Sequence, residues 1–284
     1  MADSLTYDVL VSGQLEQAGQ GSLPDGSPRT WSPISSTLIS GQHDAVLVDP
    51  PLTLDQAAAV GDWIERSGKR LTSIYLTHGH GDHWFGALPL LERFPSARAL
   101  ATEGTQALMS AQGEPAFRRS FWETRFPGML PAGELDTAVV GPEGVELEGH
   151  QLVVIEAGHT DTDATTMLHV PDLGLLVAGD VVYNGVHPYL AESADGGIDA
   201  WLAALDLADS LGAASVVAGH KDPSRADDPG EIDATRRYLL DARARLESSA
   251  TAEEYFEAMV AAHPGRINEG AIWGTAITFL PRRA

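Results

Sequence analysis

Residues Ile74 to Gly86 read IYLTHGHGDHWFG, and they place three histidines and an aspartate, His78, His80, Asp82 and His83, within six positions. The apolar run before them, RLTSIYLT (70–77), has the β-rich composition of a strand, and HWFGALPLLERFP (83–95) resumes as a helix. In extended backbone, positions i and i+2 point the same way, so His78 and His80 can face one ion. Asp82 and His83 follow where the chain turns into the helix, and can face a second point a few ångströms away. Gly79 and Gly81 leave room for so tight a path. Isolated surface histidines are common, but this density after an apolar strand reads as a metal site.

Outward from that stretch, strands and helices alternate in two halves. TYDVLVSG (6–13) alternates apolar and polar residues, and STLIS with DAVLVDP, separated by the turn-like GQHD, reads as a hairpin. LTLDQAAAVGDWIERSG (52–68) has helical spacing, with Leu54, Ala58 and Trp63 as candidates for its buried face. ARALAT (97–102) is a further strand. Residues 103–140 are irregular and rich in aromatics, arginine, proline and glycine, which predicts a helix followed by an insertion or lid. GHQLVVIEA, TTMLHVPD, LGLLVAGD and AASVVAG give a second set of strands, the last after a helix from about Ile198 to Leu211. Helices are expected at the C-terminal end, within about 228–263. No internal repeat or clear linker divides the chain, so one domain over 1–284 is expected. Two such halves predict helices packed outside two facing mixed sheets.

Composition narrows the function. The formal charge is −22, with 18 Lys and Arg against 40 Asp and Glu. Such a surface repels phosphate backbones and anionic membranes, so neither nucleic acid nor membrane is an expected partner. There are no cysteines, which excludes disulfides, thiolate nucleophiles and thiolate-held zinc. The start, MADSLTYDVL, lacks the basic and apolar regions of a secretory signal, and no apolar run approaches about 18 residues. The expected location is cytoplasmic, and a homodimer is an open possibility.

Three more potential ligands stand at strand exits. EAGHTDTD sets His159 after LVVIEA, LLVAGD ends in Asp180, and SVVAGH ends in His220. Strand ends are where α/β folds build sites. With the cluster, these residues make seven ligands, enough for two metals.

The order His-x-His-x-Asp-His, then His, Asp and His, resembles the metallo-β-lactamase superfamily over about Tyr7 to Lys221. The resemblance implies an α/β fold, an αββα sandwich of two mixed sheets with helices on the outer faces. It implies that His78, His80 and His159 hold one metal, that Asp82, His83 and His220 hold another, and that Asp180 bridges them. It also implies that Asp49, ending AVLVDP, supports the site from behind, although Pro50 and Pro51 follow where the family often has glycine. Imidazole and carboxylate donors suit two divalent ions, zinc first, with iron or manganese as alternatives.

The expected activity is metal-dependent hydrolysis, in which a metal-bridging hydroxide attacks the carbonyl of an ester-like substrate. Asp82 would orient or accept the proton. Asp180 distinguishes the chain from classical β-lactamases of the superfamily, which usually lack that carboxylate, and fits hydroxyacylglutathione hydrolases and acyl-homoserine lactonases. Tyr183, three residues after Asp180, resembles a lactonase tyrosine that hydrogen-bonds the substrate carbonyl or the developing alkoxide. Its alternative is simple packing near the site. His187 is a candidate for the same pocket or for an exposed loop. Trp84, Phe121, Trp122 and Phe126, with Phe117 and Met129, are candidates to roof an apolar pocket. Core packing or a subunit interface is the alternative for that aromatic stretch, and Arg118, Arg119 and Arg125 are candidates to receive a carboxylate. With only Lys69 and Lys221 as lysines, a neutral or apolar acyl small molecule with a lactone bond is the leading expectation. The alternatives are a thioester hydrolase of the hydroxyacylglutathione type, a β-lactamase, and a mononuclear iron sulfur dioxygenase.

Overall fold

A computed structural model describes residues 5–141 and 143–283. Residues 1–4, which begin the stretch read as lacking a signal, lie outside that description, as do Pro142 and Ala284.

The first sheet draws on β1 (Thr6–Ser12), β4 (Ile34–Ser40), β5 (Asp44–Val48), β6 (Arg70–Tyr75), β7 (Arg98–Ala101) and β8 (Thr137–Val139), in the order β1-β4-β5-β6-β7-β8. The short pair β2 (Leu15–Glu16) and β3 (Thr30–Trp31) stands apart. The second sheet has the order β13-β12-β11-β10-β9, from β9 (Val145–Leu147), β10 (His150–Gly158), β11 (Thr165–Val170), β12 (Leu175–Asn184) and β13 (Ser215–Lys221). Both sheets are mixed: β4 meets β5 antiparallel, as the hairpin predicts, while β5–β6 and β12–β13 run parallel.

Strand alternation shows why the sheets stack. Along β5, Ala45 and Leu47 join an apolar cluster with Val60, Ile64 and Leu90, while Val46 and Val48 join one with Val154, Leu168 and Val217 of the other sheet. Along β12, Leu175 and Val177 share that second cluster, and Leu176 and Ala178 face Trp201, Leu205 and Leu239. Each strand is therefore buried on both faces, one toward the facing sheet and one toward helices. The result is the αββα sandwich.

The helices that cover the first sheet include α1 (Leu54–Ser67) and α2 (Ala87–Arg93). Thr53 caps α1 reciprocally with Gln56, and Gly68 ends it in the left-handed region that suits glycine. Its buried face is Ala57, Val60, Gly61 and Ile64. Leu54 is 43% exposed and Ala58 is exposed as well, whereas Trp63 is half-buried against the core, so the expected stripe holds at Trp63 and is misphased at the other two positions. The sequence-level reading put Ala58 where Ala57 belongs, about 100° around the helix.

The irregular 103–140 stretch resolves into α3 (Glu103–Gly113), the single turns α4 (Pro115–Phe117) and α5 (Glu123–Arg125) around a π-helical turn at Arg118–Trp122, and finally the edge strand β8. The second sheet is covered by α6 (Gly197–Ser210), α7 (Gly230–Ser248), α8 (Ala252–Ala262) and α9 (Glu269–Phe279). No helix among the described residues is long and apolar enough to cross a membrane.

Candidate metal centre

The loop after β6 turns at once into a 3-10 turn, Gly81–His83, so that His78, Asp82 and His83 are all buried. Gly79 and Gly81 work through close approach. A Cβ on Gly81 would lie 2.8 Å from the Trp122 ring, and one on Gly79 would lie 2.3 Å from Leu108 Cβ. The second sheet contributes Asp180 from β12 and His220 from β13. Gly219 lets Asp180 sit there, since a Cβ at 219 would fall 2.1 Å from Asp180 Oδ1.

The histidines are aimed by partners behind them. Thr77 Oγ1 donates to Asp49 Oδ2 at 2.6 Å, so it accepts from His78 Nδ1–H at 3.0 Å. Asp49 Oδ2 also accepts from His83 Nδ1–H at 3.0 Å, and Pro33 O accepts from His220 Nδ1–H at 2.8 Å. All three rings therefore engage Nδ1–H behind the site and turn Nε2 toward the centre, the orientation of a ligating imidazole. Asp49 thus supports the site from behind, as the resemblance implied. It does so from a left-handed backbone, φ 52°, with Thr77 N–H donating to its Oδ1 at 2.9 Å. His80 is turned the other way: Nε2 meets Glu192 Oε1 at 3.2 Å and Nδ1 faces inward.

Inward-facing atoms converge. Asp180 Oδ1 is 3.3 Å from His83 Nε2, and Asp180 Oδ2 is 3.0 Å from His220 Nε2. Asp82 Oδ2 is 3.7 Å from His220 Nε2 and 4.0 Å from His83 Nε2, and accepts from the Trp31 indole at 2.6 Å. Among the described residues, three groups have ligand atoms all within 4.8 Å of one another: Asp82, His83 and His220; His78, His80 and Asp161; and, from behind the site, Asp49, His78 and His83. His78 Nε2, His83 Nε2, Asp161 Oδ2 and Asp180 Oδ1 are buried without a hydrogen-bond partner. Buried polar atoms without partners are costly, and four of them aimed at one space fit divalent cations. Charge agrees. Burial disfavours a charged His83, but Asp180, Asp82 and Asp49 outweigh it and raise the ring to about 10, so the carboxylates gathered here draw positive charge, a proton on Nε2 or a cation in its place. At His78 burial wins, with His83 adding to it, and the ring is held down to about 3, a neutral donor.

Six of the seven expected ligands, His78, His80, Asp82, His83, Asp180 and His220, therefore come together. His159 does not join them. Its Nδ1 lies 2.6 Å from Asp163 Oδ1, and its Nε2, buried without a partner, lies against Gly197, where a Cβ would stand 2.7 Å from it. The chain instead brings in Asp161, two residues on, which the sequence reading passed over although EAGHTDTD displays it. The reason is local: β10 slips register between Glu156 and Gly158, and Gly158 has φ 81°. Such a bulge re-aims the side chains beyond it.

A cleft of about 340 Å³ opens on the centre, reaching His80, Asp82, Asp161, Asp180 and His220. Trp31, Phe117, Phe121 and Trp122 form an aromatic wall, with Tyr183 and Tyr189 also lining the space. Phe121 and Trp122 come from the π-helical turn, a geometry frequent at functional sites. Tyr183 donates to Asp180 Oδ2 at 2.6 Å. Four expected lining residues do not reach the cleft, among them Met129, which packs half-buried against the core of the first sheet. Trp84 donates its indole N–H to Gly79 O at 3.0 Å and packs on Phe85, and Phe126 is buried against Trp31 and Trp122. His187 is neither lining nor exposed, but buried against Tyr238 with Nδ1 3.2 Å from its hydroxyl. Arg118 turns to the Pro131 carbonyl and the Phe85 ring, whereas Arg125 lines the cleft beside Arg29. Trp31 and Arg29, from the β3 region, carried no signal that sequence alone could rank.

The sequence profile of the metallo-beta-lactamase superfamily matches residues 29–220. The chain belongs to this superfamily. The chain is 28% identical over 148 residues to the uncharacterized protein YobT of Bacillus subtilis, covering 52% of this chain and 61% of that protein. It is 30% identical over 148 residues to a hydroxyacylglutathione hydrolase of Cupriavidus metallidurans, covering 51% of this chain and 41% of that protein. The match therefore spans less than two thirds of either relative. A metallo-beta-lactamase family protein of Thermus thermophilus superposes with a TM-score of 0.63 at 22% identity, covering 94% of this chain and 91% of that one. A metallo-beta-lactamase from Pontibacter korlensis gives 0.59 at 19%, covering 84% and 100%. These superpositions bear on the fold. The convergent donors, His78 to His220, all lie within the matched residues.

Proposed function

We propose that the protein is a dinuclear hydrolase of ester-like bonds, with a lactone as its preferred substrate. The convergence of buried, unpartnered nitrogen and oxygen atoms at the floor of an aromatic-walled cleft carries this reading. His78 and His80, with a third donor from the loop after β10, hold one ion; Asp82, His83 and His220 hold the other; Asp180 lies between. Two divalent ions, zinc first, supply a polarised carbonyl and a water of lowered pKa.

The chain's own groups do the rest. Asp49, Thr77 and Pro33 O keep the rings in their ligating tautomers. Asp82, held by Trp31, faces the cleft as the acceptor of the proton that water gives up, and returns it to the leaving oxygen. The Tyr183 phenol, 2.6 Å from Asp180, is placed to turn its proton to the oxygen on which negative charge develops. The offset of Tyr183 from Asp180 and the aromatic wall of Trp31, Phe121 and Trp122 favour a lactone with an apolar acyl part.

A second reading has specific support. Arg29 and Arg125 line the cleft, and among the described residues neither pairs with a carboxylate. Together with the hydroxyacylglutathione hydrolase likeness, this supports a thioester whose leaving group is anionic. A panel of lactones, glutathione thioesters and β-lactams, assayed on protein of measured metal content, decides between them. Lactones are expected to turn over fastest, and chelation is expected to abolish the activity. Faster turnover of glutathione thioesters would favour the second reading, and activity that survives exhaustive chelation would sink both.

A further inference from the structure

We infer that Asp161, and not His159, is the third ligand of the ion held by His78 and His80, so that this site has two imidazoles and a carboxylate in place of three imidazoles. The inference rests on the dinuclear reading above and concerns which residue completes one of its halves.

Asp161 Oδ2 lies 2.8 Å from His80 Nδ1 and 3.8 Å from His78 Nε2. Oδ2 stands at ion-pair distance from His80, while His78 Nε2, buried beside it, has no hydrogen-bond partner. Two ring nitrogens and a carboxylate oxygen gathered within 4.8 Å of one another are arranged as ligands of one ion. The carboxylate is fixed from behind, since its Oδ1 accepts from the Thr160 hydroxyl at 2.9 Å and the loop is closed by Thr160 N–H donating to Thr162 O at 2.8 Å.

The other partner is fixed too. Glu192 Oε1 stands 3.2 Å from the far nitrogen of His80, and Glu192 Oε2 accepts from the Thr162 hydroxyl at 2.8 Å. This carboxylate–imidazole pairing behind an inward ring nitrogen is the usual support of a ligating histidine. It also ties His80 and Asp161 to one loop. His159 also has a buried, unpartnered Nε2 and a carboxylate, Asp163, at its Nδ1, but that Nε2 lies against Gly197, and it is Asp161 whose oxygen gathers with His78 and His80.

The substitution changes the chemistry. A carboxylate in place of a neutral imidazole adds a negative charge and a harder donor, which shifts preference from zinc toward manganese or iron(II) at this half of the centre.

The test titrates metal-stripped full-length protein with Zn2+ and Co2+, reading ions bound per chain and the visible absorption of the cobalt form. Wild type is expected to bind two ions. Asp161→Asn, which keeps the shape, is expected to bind one of them at least about tenfold more weakly, and His159→Asn to bind both as wild type does. Weakened binding in His159→Asn, or unchanged binding in Asp161→Asn, overturns the inference. If Asp161→Asn does not fold, Asp161→His carries the test. Two bound ions with altered cobalt absorption support the inference, and an unaltered spectrum overturns it. Failure of the parent reading looks different. Wild type that binds two ions yet cleaves no ester-like substrate removes the activity and leaves the ligand assignment standing, whereas wild type that binds no ion removes both.

Discussion

Thr77 shows how much a single hydroxyl settles. By donating to Asp49 it must accept from His78, and Asp49, so engaged, accepts from His83. Two rings from one short loop are thereby locked with Nε2 inward. Asp180 is the matching residue of the second sheet, placed between His83 and His220 and bonded by Tyr183. Asp180→Asn is expected to lower metal affinity by about 10- to 100-fold or more, with turnover falling in step; full loading and wild-type rates would contradict its bridging place. Tyr183→Phe removes only the phenol. Metal content should hold while kcat falls by about 10²-fold, and an unchanged kcat would return Tyr183 to a packing role.

Among the elements, those with strict periodicity were legible from sequence and those shaped by their neighbours were not. The strand entering IYLTHGHGDHWFG, the hairpin of β4 and β5, and the helix before β13 all fall where period and turn residues put them. α9 was not anticipated, and β8 was hidden in the irregular 103–140 stretch, because its pairing with β7 is what makes three residues a strand. Asp161 was missed for a similar reason: a bulge in β10, invisible to period-two reasoning, decides which side chain of EAGHTDTD faces inward.

His187 was misread as a pocket or loop residue, and its true setting between α7 and the segment before α9 has a consequence for stability. Burial, with Arg266 and His263 nearby, lowers its pKa to about 3. It therefore stays neutral in the fold while the unfolded chain takes up a proton below about pH 6.5. Its contribution is fully present above that pH and is lost as pH falls toward 3, amounting to about 2 kcal/mol by pH 5. His187→Gln, compared with wild type by urea denaturation at pH 7 and pH 5, should flatten that decline. Equal declines in the two proteins would contradict the assignment.

At the scale of the whole molecule, the candidate centre lies where the two sheets meet: β6 delivers His78 to His83, and β12 and β13 deliver Asp180 and His220. On the proposed dinuclear reading, each ion draws ligands from both halves of the chain, and ion binding is expected to add to the stability of the sandwich as a whole. The net charge of −22 already disfavoured a polyanionic substrate, while the cleft's tryptophan and arginine lining, from β3 and the loops around it, emerged only once those distant segments were folded together. The most direct test of the account is stepwise reloading of metal-stripped protein, with hydrolysis of the best lactone followed against ions bound per chain. The account predicts negligible activity in the stripped protein and a rise that reaches its maximum at two ions. Full activity in the stripped protein, or none on any ester-like substrate with two ions bound, would contradict it.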